Sequence, residues 1–366
     1  MNTPRLVLRL SMLTLIVTGC EAADPTAPGI AGTPEIRSAK ATAAGYTPIE
    51  IGLLPGDVEG YAPVINNSGH AAVSSSYVSM NEPRRARWFI KAGAQNFVFE
   101  SGVIYDLSDG PTSYVASPLS TADGNFLPAI WTFNPTAGFT GPAYLDSSPG
   151  SGGYVQLVNE AGQAAGITSE GGSFWATDGT RTSIPNPDPS VFESTVMRDL
   201  NNRGDIAIFM ADNNLNHHRG YLRTAEGAMI LLPPLAGHVS SIARGVSELI
   251  NGVVYVAGTS DDRQGNYRAV RWTVDVSTHA IIATQVRSER SYSADMADDG
   301  TIVGDLAASA GTTPFVWQTN NTTVTLKAPK GLNSPSAWSI SDNGRYVSGQ
   351  AKSGGYGKPV YWAATQ

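Results

Sequence analysis

The sequence predicts an all-β fold, a β-propeller of seven four-stranded blades closed into a ring. Three observations predict it. Stretches in which apolar and polar residues alternate recur along the chain, the period of strands with one buried face. Each recurrence pivots on a polar turn in which Asn, Asp or Ser is followed closely by Gly, the residue that supplies the positive φ of tight hairpins. Helix signals are nearly absent, because 39 glycines and 23 prolines interrupt the chain every few residues and no long segment keeps a 3.6-residue period.

The chain opens on Met1-Asn2-Thr3-Pro4-Arg5, then Arg9 and an apolar run from Leu10 to Val17. That run is too short for a permanent bilayer helix and reads as a signal peptide over residues 1–19. It ends at Val17-Thr18-Gly19-Cys20, which resembles the lipobox of bacterial lipoproteins. The resemblance implies a diacylated Cys20, an exported chain and a membrane anchor facing the periplasm or the cell surface. Cys20 is the only cysteine, so no internal disulfide can form and stability must come from core burial. Residues 20–46, rich in Ala, Pro, Thr and Gly, read as a flexible tether, and residues 47–366 as the propeller. Cleavage removes Arg5 and Arg9 and no acid, taking the net charge from −7 to near −9. That charge argues against nucleic acid as a partner.

The repeats follow at intervals of roughly 40–52 residues. The first turns at Asn66-Asn67-Ser68-Gly69 and its third stretch ends at Trp88. Later turns fall at Asn159 to Gly162, Asn201 to Gly204, Asn251-Gly252, Asp298 to Gly300 and Ser341 to Gly344, with third stretches ending at Trp175, Arg223, Trp272, Trp317 and Trp362. One further copy, irregular and short, is placed at Asp123-Gly124 with Trp131. The last copy stops after three strands. Thr47 to Leu53 is the segment expected to supply its fourth strand and leave no open edge.

Ile51-Gly52-Leu53-Leu54-Pro55-Gly56, Ala62-Pro63-Val64-Ile65-Asn66-Asn67-Ser68-Gly69 and Ala86-Arg87-Trp88 together resemble the bacterial extracellular HAF repeat, degenerately, over about residues 49–362. The His-Ala-Phe signature itself is replaced by Arg219-Gly220-Tyr221 or Arg268-Ala269-Val270. The resemblance implies an exported propeller-like fold and carries no catalytic residues with it.

Chemistry is expected at the loop-bearing face and in the central tunnel. Four positions before each third-strand end stand Arg84, Leu127, Gly171, Arg219, Arg268, Thr313 and Lys358. The basic members would form a broken cationic ring suited to carboxylate, sulfate or phosphate. Trp338, on an inner strand, is the tryptophan expected to face a ligand, while those at strand ends pack between blades. His217 and His218 flank a polar loop, but neighbours in an extended segment point opposite ways and are not expected to share a metal. Asp199 and Asp295 occupy equivalent inner-strand positions and are the pair that glycoside hydrolysis would use. Otherwise they hold a cation or a water network at the axis, or pair with arginine, Arg198 and Arg244 being close in sequence. No nucleophile elbow, zinc-protease motif or phosphate-binding glycine loop occurs, and no cofactor is expected. The expected function is therefore noncatalytic binding or scaffolding at the cell envelope, with an anionic glycan or a protein as candidate partner. A carbohydrate-active hydrolase or lyase using Asp199 and Asp295 is the alternative.

Overall fold

The computed structural model describes residues 37–38 and 45–365, apart from 54–55, 77–84, 91–94, 100–103, 111, 121–125, 135–136, 146–151, 213–216 and 309–310. The expected signal peptide, Cys20, most of the tether and Arg84 lie outside the described residues. Within them every regular element is a strand. Six four-stranded antiparallel sheets follow one another along the chain as a β-propeller.

The inner strands of these sheets are Glu59–Ile65, Asp106–Leu107, Gly153–Val158, Ser194–Leu200, Ser240–Val246 and Ser291–Met296. Seven four-stranded sheets were expected; the last repeat instead belongs to a five-stranded one. Its strands Asn333–Ile340, Tyr346–Ser353 and Tyr356–Ala364 are extended by Tyr46–Glu50 and then Arg37–Ser38, so part of the expected tether is paired. Tyr46–Glu50 pairs antiparallel with Tyr356–Ala364, from Tyr46 opposite Ala364 to Glu50 opposite Val360.

The second repeat also departs from expectation. Its hairpin turns at Ser108-Asp109-Gly110, where Gly110 has a φ of 96°, and the Ser108 N–H donates to Tyr114 O at 2.9 Å. Asp123 and Gly124 lie outside the described residues, between the two strands of a small ribbon, Leu119–Ser120 and Phe126–Leu127. This ribbon is an insertion between the second and third strands of the sheet. The inner strand here is only two residues long, too short to show alternation, and the Asp-Gly pair within the insertion carries a stronger turn signal.

The polar turns hold more than their own hairpins. Asn201 Oδ1 accepts from Gly204 and Asp205 N–H at 3.0 and 2.9 Å, closing its own turn, while Nδ2 reaches Ser247 O of the next sheet at 2.8 Å. Asn159 repeats the pattern, with Nδ2 donating to Asn201 O at 2.8 Å. Asparagine is suited to this position because one side chain offers both an acceptor and a donor.

Apolar residues fill the spaces between neighbouring sheets. Leu157, Phe174, Met197 and Ile208 pack between the third and fourth, and Ala257, Met296, Phe315 and Trp317 between the fifth and sixth. Ile51, Ala62, Ile65 and Val73 pack with Tyr361, joining the five-stranded sheet to the first. At the same junction the Asn343 N–H donates to Asn67 Oδ1 at 2.6 Å. Trp175, Trp272, Trp317 and Trp362 are all buried, as blade-packing residues should be.

Candidate functional site

Inner strands in five of the sheets carry a register shift at one equivalent place, between Val155 and Leu157, Met197 and Asp199, Ala243 and Gly245, Ser293 and Asp295, and Ala337 and Ser339. The residue inside each shift is Gln156, Arg198, Arg244, Ala294 or Trp338. A bulge of this kind re-aims a side chain and breaks local pairing. Here it helps line a central cavity of ≈ 450 Å³, whose wall includes Tyr105, Arg198, Arg244, Tyr292 and Trp338.

Arg198 and Arg244 come from adjacent sheets and have no ion-pair partner among the described residues. Arg198 lies over the Phe209 ring at 5.2 Å, and Arg244 Nε is buried without a hydrogen-bond acceptor. Enclosure by protein pulls the Arg244 guanidinium down to about 9, and the neighbouring Arg198 charge adds to the effect. Burial likewise lowers Arg198. Both remain cationic at neutral pH, and they share the cavity wall with Asp106, Asp199, Asp295 and Asp342.

The inner-strand position that follows the bulge, or its equivalent in the second sheet, is an aspartate in alternate sheets. Leu107 N–H donates to Asp106 Oδ1 at 2.9 Å and Val158 N–H to Oδ2 at 2.9 Å. Asp199 receives Leu200 N–H at 2.8 Å and Val246 N–H at 2.7 Å, and Asp295 receives Met296 N–H at 2.9 Å and Ile340 N–H at 3.0 Å. Each carboxylate thus clips its own strand to the inner strand of the following sheet. Leu157 and Ser339 stand at the matching place in the third and five-stranded sheets, and Gly245 in the fifth, which spaces the acids apart. Burial still raises all three: Asp106 to about 8, Asp295 to about 6, and Asp199 well above the carboxylate range, helped by Asp295.

At the hairpin end of the tunnel stand the second turn residues Asn67, Asp109, Glu160, Asn202, Glu248, Asp298 and Asp342. Carboxylate oxygens of Asp109, Glu160 and Asp342 lie within 4.8 Å of one another. Burial and then Asp342 push Asp109 up to about 9, burial raises Asp342, and burial followed by Asp342 raises Asp298 to about 8. Asp109 and Asp342 are hydrogen-bonded to each other, an arrangement that requires a proton between them. An acid stands at this place in five of the seven turns, Asp109, Glu160, Glu248, Asp298 and Asp342, a signal readable in the sequence.

Such raised carboxyls hold protons in the folded state that the unfolded chain releases near pH 4. Their contribution to stability is complete below about pH 4 and is lost as pH climbs through the folded values of about 8 to 9. Thermal unfolding is therefore expected about 5 °C higher at pH 5.5 than at pH 8.5. Asp342→Asn should flatten that dependence, and a melting temperature that rises with pH would contradict it.

The sequence-predicted residues divide between two places. Asp199, Asp295 and Trp338 meet in the tunnel wall. Arg219, Arg268 and Lys358 do not line it, and their cationic heads reach backbone carbonyls. Arg219 donates to Val239 O and to His218 O at 3.2 Å, Lys358 to Val58 O at 3.0 Å, and Arg268 to Tyr267 O at 3.4 Å. His217 pairs with Asp212 at 2.8 Å, while His218 packs edge-on to Phe209 at 5.5 Å, so the two imidazoles do not share a partner. Arg198 and Arg244 were noted in the sequence only as neighbours of the aspartates. The bulges place both in the cavity wall.

No protein-family model matches the chain, and no curated protein sequence matches it. Solved structures do. An oligogalacturonate lyase in complex with manganese superposes with a TM-score of 0.56 at 11% identity, covering 91% of this chain and 97% of that one. Oligogalacturonate lyase from Vibrio parahaemolyticus gives 0.55 at 10% identity, with 91% and 97% covered. The Cps50 (Swd1) β-propeller domain of Myceliophteria thermophila gives 0.51 at 11%, covering 86% and 99%. At these identities the likeness concerns the fold alone.

Proposed function

We propose that this protein is a noncatalytic binding module of the cell envelope, anchored through Cys20, that takes an anionic ligand into its central tunnel. The reading counts the five-stranded sheet as a seventh blade, closed by Tyr46–Glu50 as its outer strand. One observation carries it, the unpaired Arg198 and Arg244 facing a cavity large enough for a small molecule. Arg198 is exposed within the tunnel and Arg244 is half-buried; two adjacent cations repel one another unless something compensates them, and an anion offering carboxylate, sulfate or phosphate oxygens to both guanidinia does so. Perturbed arginines in a cleft are also where functional sites concentrate.

The alternative, a carbohydrate-active hydrolase or lyase, has fold-level company in the two oligogalacturonate lyases. It draws little from Asp199 and Asp295, because both oxygens of each accept backbone N–H groups and neither carboxylate is free to act on a substrate without releasing its clip.

Calorimetric titration of the mature chain with uronates, sulfated sugars and sugar phosphates, with product release followed in parallel, tests the reading. Binding is expected to fall at least roughly 100-fold in Arg198→Ala/Arg244→Ala, the size of losing two charge-assisted contacts. It should be unchanged in Arg219→Ala/Arg268→Ala/Lys358→Ala. The reverse pattern would move the site to the loop face, and ligand cleavage would establish the enzyme.

A further inference from the structure

The tunnel is not walled evenly. Opposite the arginines, aromatic rings follow one another from the cavity outward across the five-stranded, first, second and third sheets. Trp338 and Tyr105 line the cavity itself. Tyr61 lies against Trp338 with ring centroids 4.8 Å apart. Tyr105 faces Tyr154 at 5.6 Å, and Tyr154 meets Phe126 edge-on at 6.1 Å. Phe126 sits on the inserted ribbon of the second sheet, is 40% exposed and pairs only within that ribbon; Tyr105 is 39% exposed. The Trp338 ring is held by its own Nε1–H, which donates to Ser336 Oγ at 3.2 Å, and Ser336 in turn donates to the buried Asp305.

Large aromatic side chains left open to solvent beside a polar cavity are costly unless a ligand covers them. We infer that the Trp338–Tyr61–Tyr105–Tyr154–Phe126 arc is a stacking platform for the sugar rings of an acidic oligosaccharide whose carboxylate-bearing unit sits at Arg198 and Arg244. This rests on the tunnel being the binding site and specifies what it takes.

Two features select a sugar chain over other anions. The cavity wall beside the rings is hydroxyl-bearing, with Ser293, Ser336, Ser339 and Tyr292, and suits a ligand that presents hydroxyls at its edges and an apolar face to a ring. The platform runs beyond the cavity to the ribbon, so it serves a ligand longer than the cavity.

The experiment is a length series on the mature chain: galacturonate, its dimer and its trimer, together with the carboxyl-reduced neutral trimer, followed by calorimetry. Affinity is expected to rise at least tenfold from monomer to trimer and to vanish for the neutral trimer. Phe126→Ala and Tyr154→Ala should each remove most of the length-dependent gain while leaving galacturonate itself unaffected, and Tyr154→Phe should restore it. Phe126 is exposed on its ribbon, so its replacement reports on binding rather than folding. Equal affinity for monomer and trimer, lost in Arg198→Ala, would refute the platform and leave the anion site standing. Neutral and acidic trimers binding alike, with no effect of Arg198→Ala, would overturn both.

Discussion

Gly258→Ala is expected to lower the stability of the fold by about 3 kcal/mol or more, the upper range for overpacking a rigid site. Gly258 lies on the second strand of the fifth sheet, opposite Ala243, just where the inner strand bulges to aim Arg244 inward. A β-carbon there would sit 2.3 Å from Ile242 O and 2.3 Å from the Trp272 ring. Neither neighbour yields cheaply, because one is backbone of the bulged strand and the other is a tryptophan buried to 1% in the core. Gly166, Gly304 and Gly349 meet the equivalent carbonyls of Tyr154, Tyr292 and Ser336 at 2.2, 2.1 and 2.1 Å. The fourth sheet has Ile208 opposite Met197 in this place, so the close approach belongs to each sheet's own packing. Thermal unfolding should fall by roughly 6–10 °C. Gly252→Ala, where φ is 86° but the surrounding space is open, should cost only about 1 kcal/mol. Equal effects of the two substitutions would mean that backbone conformation, and not steric approach, explains these glycines.

Asp295→Ala should also destabilise, by about 2 kcal/mol, because it orphans the N–H groups of Met296 and Ile340 at the junction of the sixth and five-stranded sheets. Water in the tunnel recovers part of that loss, which is why the figure stays below the cost of two dry, unpaired donors. Asp199→Ala should behave alike at the junction of the fourth and fifth sheets, through Leu200 and Val246. The sign is the informative part. A carboxylate kept for chemistry is commonly a strained group whose removal stabilises the fold, so a higher melting temperature in either variant would return both residues to the candidate catalytic list. A lower one, with ligand affinity retained, identifies them as clips.

Much of this architecture was legible in the chain. Alternation and polar-glycine turns repeat because every sheet must bury the same face and reverse direction in the same few residues, and both demands are local. Trp175, Trp272, Trp317 and Trp362 could be assigned to packing for the same reason. The second repeat turns at Ser108 to Gly110 and not at Asp123-Gly124, and two inner-strand residues, Asp106 and Leu107, carry no periodic signal that could show it. Asp199 and Asp295 were found as equivalent positions, but their hydrogen-bond partners sit some 45 residues further on, in another sheet, and could not be inferred from spacing. Arg219, Arg268 and Lys358 lie away from the tunnel wall, and their charge-bearing ends reach nearby backbone carbonyls, which a pattern of side chains does not reveal.

By itself the sequence determined the strand class, the turn chemistry and the repeat, because strand pairing within a hairpin is a short-range matter of period and positive φ. Only the tertiary structure decided which side chains meet. One-residue bulges turn Arg198, Arg244 and Trp338 into a common cavity, and closing the ring brings residues from different repeats within reach of one ligand. Those contacts depend on register and on the angle between sheets, quantities that no single repeat contains.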